Sequence, residues 1–222
     1  MLLNLIFGNF SELASNPLFY SLQIVAVLLA VIIALVAHEW SHGAVAHLFG
    51  DDTAKNAGRL SVNPLVHLDP LGTFMLLIAP FGWAKPVPVN YYNLRRQKLG
   101  IAMVSIAGPA ANLILGVIFG FLAKFTFPIL GSENLLVIFF QVLMLINFAL
   151  LIFNLIPIPP LDGSKVLFTI LPDRFSDFKY KFSIYGPMIL LFLVIGDSFL
   201  GINVLSRIFS FFYGILFSIF LF

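Results

Sequence analysis

The sequence predicts an all-α polytopic membrane protein, on three observations. Hydrophobic residues make up 60% of the 222-residue chain and charged residues only 10%, with a mean hydropathy of +1.04. Soluble globular domains carry about 25% charged residues. Several apolar stretches approach the roughly 20 helical residues that span a bilayer core. We expect a single membrane-embedded domain over residues 1–222, with a core at about 17–171 and C-terminal helices at about 182–222.

The first part of the chain predicts a long helix. Met1–Phe10 is apolar but lacks the basic flank and cleavage site of a signal peptide, so we expect a short interfacial or membrane-entering helix there. Residues 24–37 are fully apolar and predict a membrane span from about Pro17 to Phe49. Gly50 and the acidic pair that follows it are typical of a helix end.

The next apolar stretch, Leu68 to Ala84, is interrupted by two prolines and two glycines. Such a broken stretch does not favour a spanning helix. Irregular backbone at membrane depth is tolerated where protein shields it. We therefore expect a re-entrant or β-hairpin segment here.

Four further stretches complete the predicted fold. Residues 99–127 and 134–156 predict the second and third spans, which we expect to form a three-helix core with the first. The third span ends in Pro157-Ile158-Pro159-Pro160, which a helix cannot cross. Residues 183–197 predict a fourth, flanking span, and residues 208–222 are a candidate fifth.

Charge and cysteine content narrow the function. The formal net charge of +2 is too small and dispersed to indicate nucleic-acid binding, and the absence of cysteine excludes disulfides and cysteine-ligated zinc. Basic residues concentrate in segments 55–59, 85–98 and 165–181. The positive-inside rule places these segments in the cytoplasm. We expect a multi-pass protein of the cell membrane.

The polar sequence His38-Glu39-Trp40-Ser41-His42 follows the apolar centre of the first span. Residues four apart lie on one face of a helix, so both imidazoles can reach one metal ion, and the adjacent glutamate can deprotonate water. Ionisable groups in a membrane span are costly and indicate function. The alternative is a helix end that emerges into water.

A catalytic zinc site usually needs a third protein ligand. The candidate is Asp162, which follows the proline-rich end of the third span. An aspartate held there can face the two histidines. Alternatively, Asp162-Gly163 is an ordinary turn pair, since both residues favour turns.

These two motifs resemble those of the site-2 protease family of intramembrane zinc metalloproteases. The resemblance rests on His38-Glu39-Trp40-Ser41-His42 and on Asn154 to Gly163, which reads N-L-I-P-I-P-P-L-D-G. It extends to the stretch from Gly58 to Pro70 and to Phe81–Asn90. The match is to small prokaryotic members without a PDZ or CBS domain, and it covers roughly residues 38–165.

The resemblance implies one zinc ion per chain, bound by His38, His42 and Asp162, with Glu39 as the general base. It raises Asp162 from a turn residue to a metal ligand. It also implies that Asn154 holds the substrate carbonyl or the oxyanion, although an asparagine bridging two helices is an alternative. The implied activity is hydrolysis of peptide bonds in transmembrane or membrane-associated proteins, with the active site toward the cytoplasmic side.

Three more polar residues have open roles. Asn112 belongs to a Gly-Pro-x-x-Asn element, where close helix packing is favoured over lining the site. His67 is either a group near the metal or a polar contact of its loop. His47 lies nine residues after His38, which is half a turn out of phase, so we expect it not to bind the metal.

The Pro-Val-Pro-Val stretch within Phe81–Asn90 favours an extended backbone, which suggests strand addition with an unwound substrate. The alternative functions are a metal transporter, a catalytically silent metal-binding protein, a chaperone-like pseudoprotease, and a structural membrane protein in which the motif is fortuitous. The oligomeric state is left open by the sequence.

Overall fold

The computed structural model describes residues 16–72 and 84–220, except the side chains at 198 and 199. Its helices are α1 (Pro17–Leu48), α2 (Thr53–Asn56), α3 (Gln97–Leu130), α4 (Leu135–Asn154), α5 (Asp162–Ile170), α6 (Ser176–Phe199) and α7 (Val204–Phe220), with 3₁₀ turns at Pro64–Val66 and Asp173–Phe175. The prediction for Met1–Phe10 lies outside the described residues, as does most of the predicted re-entrant segment.

The predicted all-α class is confirmed for the described part of the chain, which contains no strand beyond an isolated antiparallel bridge between Leu68 and Ala84. That bridge joins the two ends of the segment predicted to be re-entrant. The segment itself stays a prediction.

Within the described residues, four helices are long and apolar enough to cross a membrane: α1, α3, α4 and the stretch Asp173–Asp197, which includes most of α6. The chain is therefore a multi-pass membrane protein. Helix α7 has 17 residues and is about 25 Å long at 1.5 Å per residue, which is short of the roughly 30 Å hydrocarbon core. The predicted fifth span is not established.

The bounds of α1 follow from local chemistry. Asn16 caps the helix by accepting a hydrogen bond from the Phe19 amide, and Pro17 occupies the first helical position, where its missing N–H costs nothing. At the other end, Gly50 takes φ +100°, a left-handed conformation that glycine adopts without strain. The predicted first span is confirmed within two residues.

Two helices continue through prolines. Helix α3 continues through Pro109 and Pro128, and α6 continues through Pro187. Helix α6 begins at Ser176, seven residues before the predicted start of the fourth span. The basic segment 165–181 therefore ends within α6, and its polar residues are compatible with a helix that leaves the apolar layer.

Helices α1, α3 and α4 pack together around one apolar cluster. Its buried members are Val27, Ala30, Ala34, Val142, Leu143 and Ile146. Helix α7 covers another side of α3 and α4, where Phe220 contacts Phe148 and approaches Gly120 closely. Helix α6 contacts the rest through Gly186 against Pro159 and the Phe168–Phe182 ring pair in its first half. Near its end, Asp197 accepts hydrogen bonds from the amides of Leu205 and Ser206 in α7.

Candidate metal centre

Three side chains from distant parts of the sequence meet at the cytoplasmic end predicted for α1. The Nε2 atoms of His38 and His42 are 3.0 Å apart, and Asp162 Oδ2 lies 3.2 Å from the first and 3.0 Å from the second. All three residues are buried. They form a group of histidine and acidic side chains that can hold a metal ion, as the two motifs predicted.

Helix α1 accounts for the two histidines. His38 and His42 are one turn apart on the face that packs on α3, continuing the buried stripe of Ala30 and Ala34. His47 points elsewhere: its Nδ1 contacts the Asp52 carboxylate at the surface. His47 is therefore not among the three side chains that converge, and its exclusion from metal binding stays a prediction.

A chain of amide hydrogen bonds fixes the tautomer of His38. Asn147 Nδ2 donates to the Leu143 carbonyl, so Asn147 Oδ1 is free to accept from Asn112 Nδ2 at 2.9 Å. Asn112 Nδ2 also donates to the Ala34 carbonyl, which leaves Asn112 Oδ1 as the acceptor at 2.6 Å from His38 Nδ1. His38 Nδ1 therefore carries the proton, and its Nε2 lone pair faces the site.

A backbone carbonyl orients His42 in the same way. His42 Nδ1 lies 2.6 Å from the Val104 carbonyl oxygen of α3, which can only accept, so Nδ1 is the donor. Both imidazoles thus aim their Nε2 atoms at the Asp162 carboxylate, and in the neutral tautomer with the proton on Nδ1 each Nε2 offers a lone pair to a metal ion.

Gly108 makes room for the site. A Cβ at this position would lie 2.5 Å from His42 Nε2 and 2.6 Å from His38 Cε1. These distances are below any real van der Waals contact, so a side chain here would displace the imidazoles. The Gly-Pro-x-x-Asn element, predicted to serve helix packing, supplies both this space and the Asn112 hydrogen bond.

The turn after α4 brings Asp162 to the histidines. The chain turns through Pro157–Leu161, with a cis peptide bond between Pro159 and Pro160, and Asp162 opens α5. Gly163 lies directly on the end of α4: a Cβ there would be 2.3 Å from the Leu155 carbonyl oxygen. Only glycine permits this backbone contact, which fixes the position of the neighbouring aspartate.

Lys165 lies beside the same carboxylate. Its Nζ is 2.9 Å from Asp162 Oδ1, the oxygen that does not face the histidines. Burial lowers the pKa of Lys165, but Asp162 and the Tyr91 side chain offset this effect, so that its pKa is raised above the ordinary value. The lysine is therefore cationic, and it compensates part of the negative charge of the site.

Glu39 is held by an extended segment. Its Oε2 accepts a hydrogen bond of 2.8 Å from the Val87 amide. Gly43, one turn further along α1, allows Val87 to come close, since a Cβ there would lie 3.1 Å from Val87 Cγ1. Asp51 accepts the Asn90 amide at 2.7 Å and anchors the other end of the segment.

The donor set fits zinc. Zinc–nitrogen and zinc–oxygen bonds of about 2.0–2.1 Å in a tetrahedron place ligand atoms about 3.3 Å apart. The observed separations of 3.0–3.2 Å are close to this value. With the proton of each neutral imidazole on Nδ1, two Nε2 lone pairs and a carboxylate oxygen face one another, an arrangement that a cation stabilises. His38, His42 and Asp162 would hold the ion.

The remaining predicted residues lie as follows. Asn154 donates from Nδ2 to the Leu150 carbonyl of its own helix, and it has no hydrogen bond to His38, His42 or Asp162. His67 is buried, and its Nε2 lies 2.6 Å from the Ser61 carbonyl. The substrate role of Asn154 and the site role of His67 stay predictions.

Asn147, the Val104 carbonyl and Lys165 belong to the site but were not singled out from the sequence. Asn147 carried a usable signal, because it is a polar residue amid the apolar residues of a membrane span. The Val104 carbonyl carried no such signal, since every residue has a backbone carbonyl.

An apolar cavity of about 390 Å³ lies along the side of α1. Its lining is Ile32, Ile33, Val36, Ala37, Trp40, Val62, Pro64 and Leu115. It is therefore separate from the three candidate ligands, and it does not define the metal centre.

Comparison with known proteins agrees with the geometry. Residues 128–195, which include Asn154 and Asp162, match the family model "Peptidase family M50". The chain is 40% identical over 185 residues to "Putative zinc metalloprotease YwhC" of Bacillus subtilis (strain 168), covering 80% of this chain and 84% of that protein.

Two further relatives are both named "Putative zinc metalloprotease Rip2". The protein of Mycolicibacterium smegmatis is 35% identical over 163 residues, and that of Mycobacterium tuberculosis (strain Erdman) is 31% identical over 156 residues. Each match covers 68% of this chain and 60% of the relative. No solved structure is significantly similar to this chain. By its identity to YwhC over four-fifths of its length, the chain belongs to peptidase family M50, the site-2 protease family.

Proposed function

We propose that this protein is an intramembrane zinc metalloprotease that hydrolyses peptide bonds of transmembrane or membrane-associated proteins, as in regulated intramembrane proteolysis. The observation that carries the proposal is the convergence of His38, His42 and Asp162, with Glu39 on the same helix. The names of the relatives support the same activity.

Bound zinc would supply Lewis-acid chemistry, acidifying water and polarising the peptide carbonyl. The Glu39 carboxylate takes the proton of the attacking water and returns it to the leaving nitrogen. Asn112 and the Val104 carbonyl hold the imidazoles so that Nε2 faces the ion. The amide of Val87, which belongs to the extended segment and not to α1, donates to the Glu39 carboxylate and orients it.

The surroundings of the site support a substrate within the membrane. The histidines lie in the last three turns of a helix apolar enough to span the bilayer, and the basic segments flank this end. By the positive-inside rule this end of α1 lies at the cytoplasmic face of the cell membrane, and the cytoplasm supplies the water for hydrolysis. The partners are thus a membrane protein substrate and the lipid bilayer.

We propose that the substrate pairs, as an added strand, with the extended segment before α3 that contains Val87, Val89 and Asn90. Val87 and Asn90 donate their amides to Glu39 and Asp51, while Val89 has no hydrogen bond to another described residue. A peptide bond within a helix is inaccessible to attack, so the substrate needs local unwinding and can then pair with this backbone. Val89→Asp should slow cleavage of a helical substrate; normal cleavage by this variant would contradict strand addition.

The activity test compares wild type with Glu39→Gln, both reconstituted in liposomes with a model transmembrane substrate that carries helix-destabilising residues. We expect cleavage to fall by about 10²–10⁴-fold because the general base is removed. Zinc content should be unchanged, since Glu39 is not among the ligands. Full turnover by the variant would refute the role of Glu39.

The alternative is a catalytically silent metal-binding protein or a chaperone-like pseudoprotease. It shares the three ligands but does not need a glutamate beside the first histidine. Zinc bound at one ion per chain, with no cleavage of any membrane substrate by wild type, would favour this alternative.

A further inference from the structure

The two oxygens of the Asp162 carboxylate have different partners. Oδ2 lies 3.0–3.2 Å from the two histidine Nε2 atoms, whereas Oδ1 binds Lys165 Nζ at 2.9 Å. Lys165 is on the next turn of α5, three residues after the aspartate. The carboxylate is thus divided between a metal-facing oxygen and a lysine-facing oxygen.

We infer that Lys165 is a positioning residue that restricts Asp162 to binding zinc through one oxygen. This inference rests on the proposed zinc site. Carboxylates can bind a metal through one or both oxygens. A catalytic zinc ion keeps one position open beside three protein ligands, and a second aspartate oxygen would compete for that position. Lys165 keeps Oδ1 engaged, which leaves the open position for water and substrate.

Burial gives this ion pair its strength. The Asp162 side chain is 6% exposed and that of Lys165 37%, so the hydrogen bond between them is only partly screened by solvent. The Lys98–Asp173 pair has a similar separation of 3.1 Å, but its side chains are 69% and 82% exposed. Exposed pairs of this kind contribute little. Lys98 therefore offers a matched control.

The experiment measures zinc affinity of the full-length, detergent-purified protein by competition with a chromophoric chelator. Lys165→Met should weaken zinc binding by about 10–100-fold, the usual cost of removing a group that orients a ligand. Lys165→Arg should recover most of the affinity because it restores a cationic donor, with Lys165→Gln between the two. Lys98→Met should bind zinc as wild type does.

X-ray absorption at the zinc edge supplies the readout specific to positioning. Wild type should show four light ligands, and Lys165→Met or Lys165→Gln should show an additional oxygen as Asp162 turns to bind through both. Unchanged affinity and coordination in these variants would overturn the inference while leaving the zinc site intact. If Lys165→Met does not fold, the zinc affinities of Lys165→Arg and Lys165→Gln decide. The arginine variant should bind zinc more tightly than the glutamine variant, and equal or reversed affinities would overturn the inference. Absence of zinc from wild type would instead overturn the proposed function.

Discussion

The histidine side and the aspartate side of the metal centre are built differently. His38 and His42 lie within a 32-residue helix, and each Nδ1 has its own acceptor in α3. Asp162 begins a nine-residue helix after a proline-rich turn, and Lys165 and the close backbone contact of Gly163 hold it. One side is placed by helix packing, the other by a turn that only certain residues permit.

The comparison teaches that the two sides should fail in different ways. On the histidine side, hydrogen-bond partners decide which nitrogen faces the site, so their loss should free the imidazoles while the backbone stays in place. On the aspartate side, backbone contacts set the position of the ligand, so their loss should move the backbone and the ligand together.

The largest effect on zinc binding is expected for Asp162→Ala, which removes the ligand of the aspartate side. Zinc per chain should fall from about one to near zero, because three protein ligands are the usual number for such a site. Metal analysis of detergent-purified protein measures this ratio. His47→Ala on α1 is the control and should retain zinc. Equal zinc in wild type and Asp162→Ala would show that the third ligand lies elsewhere.

Gly163→Ala should have the next largest effect, on stability and zinc together. A Cβ there would lie 2.3 Å from the Leu155 carbonyl oxygen and 2.8 Å from that of Ile156, and backbone cannot move aside as a side chain can. Overpacking of this kind costs about 1–3 kcal/mol. Thermal unfolding in detergent and chelator competition should both report the loss.

Gly214→Ala is the control for that substitution, since nothing lies within 4 Å of a Cβ there. Alanine in a helix is favoured over glycine by about 1 kcal/mol, so this variant should be unaffected or slightly stabilised. Normal zinc affinity and stability in Gly163→Ala would contradict the account of the aspartate side.

Asn112→Ala tests the histidine side by removing the acceptor of His38 Nδ1. Zinc affinity should fall by about 10–100-fold. The variant also leaves the Asn147 side chain without its partner in α3, which adds a penalty of about 1–3 kcal/mol for an unsatisfied buried group. Chelator competition and thermal unfolding measure the two effects. Wild-type zinc affinity would exclude an orienting role for Asn112.

The smallest effect on the metal is expected for Asp51→Asn, outside both sides of the site. Burial raises the pKa of Asp51, but hydrogen bonds from Thr53, Asn93 and the Asn90 amide lower it below the ordinary value overall. A depressed carboxyl pKa stabilises the fold above the unfolded-state pKa of about 3.9, and this contribution is lost as the pH falls through the folded-state pKa.

Wild type should therefore be more stable than Asp51→Asn at neutral pH, and the difference should shrink below about pH 4. Thermal unfolding across pH measures it. Asp52→Asn, in which an exposed neighbour is changed, should not reproduce the pattern. A difference that is constant with pH would mean that the carboxylate charge of Asp51 contributes nothing.

The sequence predicted the spans of α1, α3 and α4 and the residues of both motifs, because long apolar runs and paired motifs are local signals. It did not predict that Asn112 binds His38, since helix packing and site lining were both compatible with an asparagine in that motif. Lys165 looked like one of several basic residues near the membrane surface. Its pairing with Asp162 depends on the rotation of α5, which no local pattern specifies.

The Asn112 side chain joins α1 to α4, through the Ala34 carbonyl, His38 and Asn147. This junction is made of protein groups alone, so helix packing orients His38 without any contribution from the ion. In zinc-finger domains, in contrast, the free energy of metal binding drives the folding of the chain. We therefore expect metal uptake and release to leave the junction of α1, α3 and α4 intact, so that exchange is limited by the ion's access to the site and not by refolding of the chain.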